Sequence, residues 1–328
     1  MKPLERIVAQ FSRTKVLVIG DVMLDRYIFG EATRLSPEAP VPIVKVSEEK
    51  EVLGGAANVA ANIAALGGQV YLCGVIGNEG YGKSICSIVG KMGIIDVLYK
   101  SADVKTTVKT RVVSDRQQVV RYDIEEKLRL DISAYDWLLK KIKSALSAVD
   151  IVVLSDYSKG VLDSDFSAHI IKMAHKYDKP VLVDPKPANM GYFRGADCIA
   201  PNLKEAFEIA KKPVSKVEEG NNKPLHELAL GICNDYGTKQ AAITCGKHGV
   251  YAFDLSENMG KLLPARAREV YDVSGAGDTA LAVIAMSRAV GADLYQACAI
   301  ANAASGVVVS KIGTATLSLA ELKSNLVK

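Results

Sequence analysis

The strongest constraint on the fold is a rhythm of short β-branched runs, each closed by Gly or Asp and separated by segments of helical periodicity. The runs are KVLVIGD (15–21), QVYLCGVIG (69–77), DIVVLSD (150–156), PVLVD (180–184) and AAITCG (241–246). Between them lie AANVAANIAALG (56–67), SAYDWLLKKIKSAL (133–146) and NLKEAFEIAKK (202–212), with apolar residues at helical spacing. A strand that is apolar on both faces needs cover on both. The pattern therefore specifies an α/β sandwich around a mainly parallel sheet. Ligands in such sheets bind beyond the carboxyl ends of the strands, where this chain puts its Gly and Asp residues.

Two stretches break the rhythm. Residues 25–46 and 105–124 mix polar and apolar side chains like half-exposed strands, with Ser114-Asp115-Arg116 at a hairpin turn. They read as a small antiparallel sheet forming a lid, or as a plain edge hairpin. No repeat, low-complexity tract or long linker interrupts the 328 residues, so one domain (1–328) with a lid is expected.

Composition removes several classes of function. Net charge is only +4 and the basic residues are scattered, which argues against nucleic acid. The six cysteines form no CxxC pair and the four histidines no HxxxH spacing, so buried free thiols in a reducing compartment are expected. The N-terminus MKPLERIVAQFSRTK is charged throughout, unlike a signal peptide. No apolar run reaches membrane-span length. The expectation is a soluble cytoplasmic protein with no membrane partner.

Three glycine loops compete for a phosphate. GNEGYGKS (77–84) satisfies GxxxxGK[ST], with Lys83 and Ser84 in place and Asp156 ending a Walker B-like strand. Against it, the loop follows an earlier strand–helix unit with its own glycine pair, Gly54-Gly55. A plain strand-to-helix turn is the simpler reading. Gly275-Ala276-Gly277-Asp278-Thr279-Ala280 formally fits the dinucleotide fingerprint, but two helices follow it and no strand. The third reading takes Asp278 as the point of the loop. A helix N-terminus offers unpaired amides and partial positive charge, and Gly275 and Gly277 let them converge. A carboxylate there suits general-base removal of a proton from a hydroxyl that attacks a phosphoryl group. The competing reading is an N-capping Asp.

The run DVSGAGD (272–278) resembles the C-terminal signature of the ribokinase-like (PfkB) carbohydrate kinases. Gly54-Gly55-Ala56-Ala57-Asn58, with Gly68 and Gly77, resembles their N-terminal signature. Both lie at the expected ends, so the resemblance covers essentially the whole chain and implies a ribokinase-like three-layer sandwich. RLSPEAPVPIVKV (34–46), LGGAANVAANIAALGG (53–68), KTRVVSDRQQVVRYD (109–123), LSDYSKGVL (154–162), VLVDPK (181–186) and GVVVSKIGTAT (306–316) resemble the heptose 7-phosphate kinase branch. That branch phosphorylates the anomeric hydroxyl of D-glycero-β-D-manno-heptose 7-phosphate with MgATP, towards ADP-heptose for the lipopolysaccharide inner core. The chain closes on LSLAELKSNLVK, so the stand-alone kinase form is expected. The alternatives are a sibling kinase of ribose, fructose or fructose phosphate, a P-loop NTPase using Lys83, and a non-catalytic regulator.

The resemblance implies roles residue by residue. Asp278 is the base, and Gly275, Ala276 and Gly277 form the anion hole. Asn202, Leu203, Lys204 and Glu205 lie near the ATP phosphates, with Glu205 holding Mg²⁺ through water. Thr244, Gly246 and Gly249 line the nucleotide site, and Asn302 the adenine pocket. Asp21, Gly54, Gly55 and Asn58 face the sugar; Asp21 as a simple strand terminator is the plain reading. Arg34, Arg111, Arg121 and Lys186 are candidates for the sugar phosphate, with Arg111 and Lys186 preferred. Ser274 stands where the family commonly has Thr. A monovalent cation (K⁺) near Asp272 and a homodimer through the lid are further expectations.

Overall fold

The computed structural model describes residues 3–115, 117–217, 220–265, 270–311 and 313–327. Arg116 of the expected hairpin turn and Ile312 of the C-terminal segment lie outside them.

The main sheet contains β1 (Lys15–Gly20), β4 (Gln69–Gly77), β5 (Ile95–Ser101), β8 (Ile151–Ser155), β9 (Val181–Asp184) and β10 (Cys198–Ile199). It continues through β11 (Gln240–Thr244), β12 (Val250–Asp254) and β13 (Met259–Leu263). The order is β13-β12-β11-β10-β9-β8-β1-β4-β5, parallel except at β11–β12 and β12–β13. All five runs singled out in the sequence form its strands.

Strand β1 explains why an unbroken apolar run is needed. Val16 and Val18 enter one core layer with helices Ala56–Ala65, Ala276–Ala289 and Leu294–Val308. Leu17 and Ile19 enter the other with helices Ile132–Leu146, Ser164–Lys176 and Lys223–Tyr236. All four side chains are fully buried, each worth about 1.5–3 kcal/mol against exposure. β1 also sits where strand order reverses, between β4 and β8, so a crevice opens beyond its carboxyl end.

The lid is a separate sheet of β2 (Val22–Leu35), β3 (Pro42–Gly55), β6 (Thr107–Ser114) and β7 (Gln117–Ile124), in the order β3-β2-β6-β7. Its central pair, β2 and β6, is parallel, whereas an all-antiparallel lid was expected. β3 also runs nine residues past the expected end at Val46. The charged stretch Glu48–Glu51 reads as a loop because strands usually bury one face. Here it pairs with β2 on an exposed ribbon, so charge costs nothing.

Among the described residues no helix is long and apolar enough to cross a membrane. The six cysteines are free; five are buried and Cys86 is partly so.

Candidate active site

Asp278 stands in the first turn of helix Ala276–Ala289, and its carboxylate does not cap that helix. Oδ1 accepts a hydrogen bond from the Tyr157 hydroxyl at 2.6 Å, and Oδ2 one from the Asn58 amide at 2.8 Å. The N-cap is Gly275, left-handed at φ 79°, with no side chain to satisfy the helix amides. The Ala276 amide turns back to the Val273 carbonyl at 3.2 Å. That leaves the Gly277 and Asp278 amides as the open donors among the described residues. Ala276, expected as an anion-hole donor, thus has its amide spent on its own turn.

Burial pushes the Asp278 carboxyl up to about 6, against the opposing pull of the Tyr157 and Asn58 hydrogen bonds. A base of that strength is ionised at neutral pH and still accepts a proton readily. Its orientation is fixed from behind. Asn62 donates to Asn58 Oδ1 at 3.2 Å, and the Thr279 hydroxyl donates to Asn62 Oδ1 at 3.0 Å. Two helices are thereby locked around one carboxylate.

A cavity of about 140 Å³ lies before Asp278, lined by Gly275, Gly277, Tyr157, Asp184, Lys186, Asn202, Glu205 and Thr244 among others. Asn202 and Glu205 form a reciprocal capping box at the start of helix Leu203–Ile209. Glu205 also accepts from Lys186 Nζ at 2.6 Å. Burial alone would lower the Lys186 ammonium, but Asp184, Glu205 and Asp156 outweigh it and hold the pKa above its ordinary value. Burial raises the Asp184 carboxyl well above the usual range, helped by Glu205, Asp278 and Asp156. Leu203 is partly buried and Lys204 points to solvent.

Several residues take tasks other than those expected. Asp21 is 1% exposed, and its carboxylate accepts from the backbone amides of Tyr157 (2.8 Å), Lys159 (2.9 Å) and Val161 (3.1 Å). It builds the loop that carries Tyr157 and does not line the Asp278 cavity. Arg111 is paired with Asp25 at 2.8 Å and lies over the Tyr27 ring, so its charge is already answered within the lid. Lys186 belongs to the Glu205 side of the cavity. The Asn302 amide donates to the Leu263 and Pro264 carbonyls, tying helix Leu294–Val308 to the end of β13. Gly246 and Gly249 flank the turn between β11 and β12, and Gly54 and Gly55 close β3 beside Asp25 and Asp21.

Three residues in or beside the site carried no role in the sequence. Asp184 obeys the strand-end rule and was legible. Asp25, a lone acid within the apolar start of β2, is 6% exposed and accepts from Arg111 and from the Thr314 hydroxyl at 2.9 Å. Tyr157 meets Asp278 across 121 positions, and no local pattern announces that.

The P-loop match dissolves on inspection. The Glu79 carboxylate lies against Gly77 and accepts the Thr106 amide at 3.0 Å, which puts negative charge into the loop. A side chain at Gly82 would strike the Gly77 carbonyl, so this glycine serves close packing. Lys83 is exposed, and β4 and β8 are separated by β1. Lys83→Ala is therefore expected to keep kcat within about twofold of wild type, since exposed charges away from a site contribute little. A steady-state assay reads this directly; loss of turnover would restore the P-loop.

A buried carboxylate beside open helix amides, at the carboxyl edge of a lidded α/β sandwich, suits phosphoryl transfer to a small hydroxyl compound. The chain belongs to the pfkB family of carbohydrate kinases, whose pattern matches residues 13–321. Bifunctional protein HldE of Shewanella sp. strain MR-4 is 44% identical over 315 residues, covering 95% of this chain and 63% of that protein. HldE of Shewanella baltica strain OS185 matches to the same extent. The chain thus spans less than two thirds of the length of these curated relatives. Escherichia coli phosphofructokinase-2 in complex with fructose-6-phosphate superposes with TM-score 0.77 at 17% identity, covering 96% of this chain and 98% of that one. Arabidopsis thaliana ribokinase complexed with ribose and ATP gives 0.73 at 19%, covering 95% and 98%. At such identities the likeness establishes the fold.

Proposed function

We propose that the chain transfers the γ-phosphoryl group of ATP to the anomeric C1 hydroxyl of D-glycero-β-D-manno-heptose 7-phosphate, giving the 1,7-bisphosphate and ADP. The observation that carries phosphoryl transfer is Asp278, a buried base directly beside the free amides of its own helix. The choice of sugar rests on the heptose-kinase segments quoted above and is supported by the 44% identity to HldE proteins. The product would enter ADP-heptose synthesis for the lipopolysaccharide inner core, in the cytoplasm.

In this mechanism the C1 hydroxyl gives its proton to Asp278 as its oxygen attacks the γ-phosphorus. The bond from that phosphorus to the bridging oxygen breaks, and ADP leaves. The Gly277 and Asp278 amides stabilise charge on the moving group. Tyr157 and Asn58 hold the carboxylate in place, and Lys186 offsets phosphate charge. Mg²⁺ would neutralise charge on the ATP phosphates. It keeps much of its water and needs only one or two protein carboxylates, which suits Asp184 and Glu205 on the cavity wall.

A monovalent cation near Asp272 belongs to the same reading. Asp272 accepts from the Ser274 amide at 2.8 Å and the Gly313 amide at 3.0 Å, which fixes the loop such an ion would need. Dimerisation through the lid is supported by exposed apolar side chains there, including Leu35 (67%), Val120 (49%) and Tyr122 (45%). Sedimentation as a monomer at assay concentration would remove it.

The sugar is tested by ADP release with heptose 7-phosphate, unphosphorylated heptose, fructose 6-phosphate and ribose. Heptose 7-phosphate is expected to give the highest kcat/KM, with ³¹P NMR locating the new phosphate on C1. Preference for any other sugar would overturn the heptose assignment while leaving the kinase reading intact.

A further inference from the structure

Lys109 projects from β6 at the root of the lid, half-buried, with its Nζ 5.5 Å from the centre of the Tyr157 ring. Among the described residues no carboxylate lies within ion-pair distance of it, although Asp25 and Asp123 act on it through space. Asp25 is held by Arg111 and Thr314. Asp123, opposite Lys109 on β7, is in an ion pair with Arg121 at 3.1 Å, and Glu125 is paired with Lys159. Each of these acids lies within ion-pair distance of another cation, and Lys109 Nζ packs over an aromatic ring. Burial lowers its pKa; Asp25 and Asp123 oppose that, while Lys159 and Arg121 add to it.

Burial of this ammonium outweighs the pull of Asp25 and Asp123, and the Tyr157 ring is the group its Nζ packs against. A ligand that brings an anion would offset that burial. Tyr157 connects this cation to the chemistry, because the hydroxyl of the same ring donates to Asp278 at 2.6 Å. A molecule with its reacting hydroxyl at Asp278 and an anion at Lys109 spans one tyrosine. We propose that Lys109, flanked by Lys159, is the anchor for the distal phosphate of the sugar substrate and sets the preference for a phosphorylated over an unphosphorylated sugar. The inference rests on the sugar-phosphate reading above, and it replaces Arg111 and Lys186 as the cations that meet that phosphate.

The test compares kcat/KM for heptose 7-phosphate and for unphosphorylated heptose in wild type, Lys109→Met and Lys105→Met. Methionine keeps the stem that packs on Tyr157 and removes the charge. Lys105 is an exposed neighbour already paired with Glu126 at 2.7 Å. The preference for the phosphorylated sugar is expected to fall about 10- to 100-fold in Lys109→Met, the usual worth of a charge-assisted hydrogen bond, and to hold in Lys105→Met. Competitive inhibition by inorganic phosphate should weaken in parallel, and the melting temperature should not fall. A preference unchanged in Lys109→Met, with wild type favouring the phosphorylated sugar, overturns the anchor alone. Absence of any such preference in wild type overturns the sugar-phosphate reading, and the anchor with it.

Discussion

Asp278→Asn lowers kcat by about 10²–10⁴-fold, the usual contribution of a positioned general base, or roughly 3–5 kcal/mol of barrier. Binding of nucleotide and sugar should persist, because an amide has almost the shape of the carboxylate it replaces. The pH profile gives a second signature. The wild-type base must be ionised to take a proton, and its carboxyl lies at about 6, so kcat/KM should fall away below that pH with the same apparent pKa. Stability moves the other way. A carboxyl raised from 3.8 to about 6 binds its proton more tightly in the folded chain, so ionising it costs folding about 3 kcal/mol at pH 8. That cost is fully present above pH 6 and disappears as pH falls through 6 towards 3.8. The variant escapes it. Its melting temperature relative to wild type should therefore be most favourable at pH 8, with the gap closing towards pH 4. A variant that is folded yet turns over at nearly the wild-type rate would remove Asp278 as the base.

The fold was legible in the sequence because its determinants are local. Runs such as KVLVIG are apolar on both faces, and only a strand inside a three-layer sandwich uses that. That Gly275, Gly277 and Asp278 lie together was legible for the same reason: they sit within one turn. What escaped was whatever depends on contacts between distant segments. Asp21 looks like any strand-end acid, and only the path of the loop after β8 reveals that three backbone amides claim it. Arg111 looked like a phosphate ligand because arginines usually are candidates; its neutralisation by Asp25 lies 86 positions away. Lys109, one lysine among many in the sequence, stands out only once each of these neighbouring acids is seen within ion-pair distance of another cation. The charged half of β3 was hidden by a rule that fails on an exposed ribbon.

Gly275→Ala is expected to be nearly as damaging as loss of the base, although it touches no ionisable group. Gly275 holds φ 79°, a left-handed conformation that costs an alanine about 1–2 kcal/mol. Its new methyl would also lie 2.9 Å from the Asn58 amide nitrogen and 3.2 Å from the Thr314 methyl. Asn58 cannot retreat freely, since Asn62 grips both its carbonyl (2.9 Å) and its side-chain oxygen (3.2 Å). The strain is relieved by moving the 275–277 turn, and the two free amides move with it. Displacing one such donor from a developing negative charge costs about 10²–10³ in rate. We therefore expect kcat to fall about 10²-fold, with a loss of about 1–2 kcal/mol in unfolding free energy. The two variants differ in diagnosis. Gly275→Ala should leave the acid limb near pH 6, because the base survives, whereas in Asp278→Asn the limb itself should vanish from the residual activity. Wild-type turnover in Gly275→Ala would mean that the helix amides do not meet the transferring phosphoryl group.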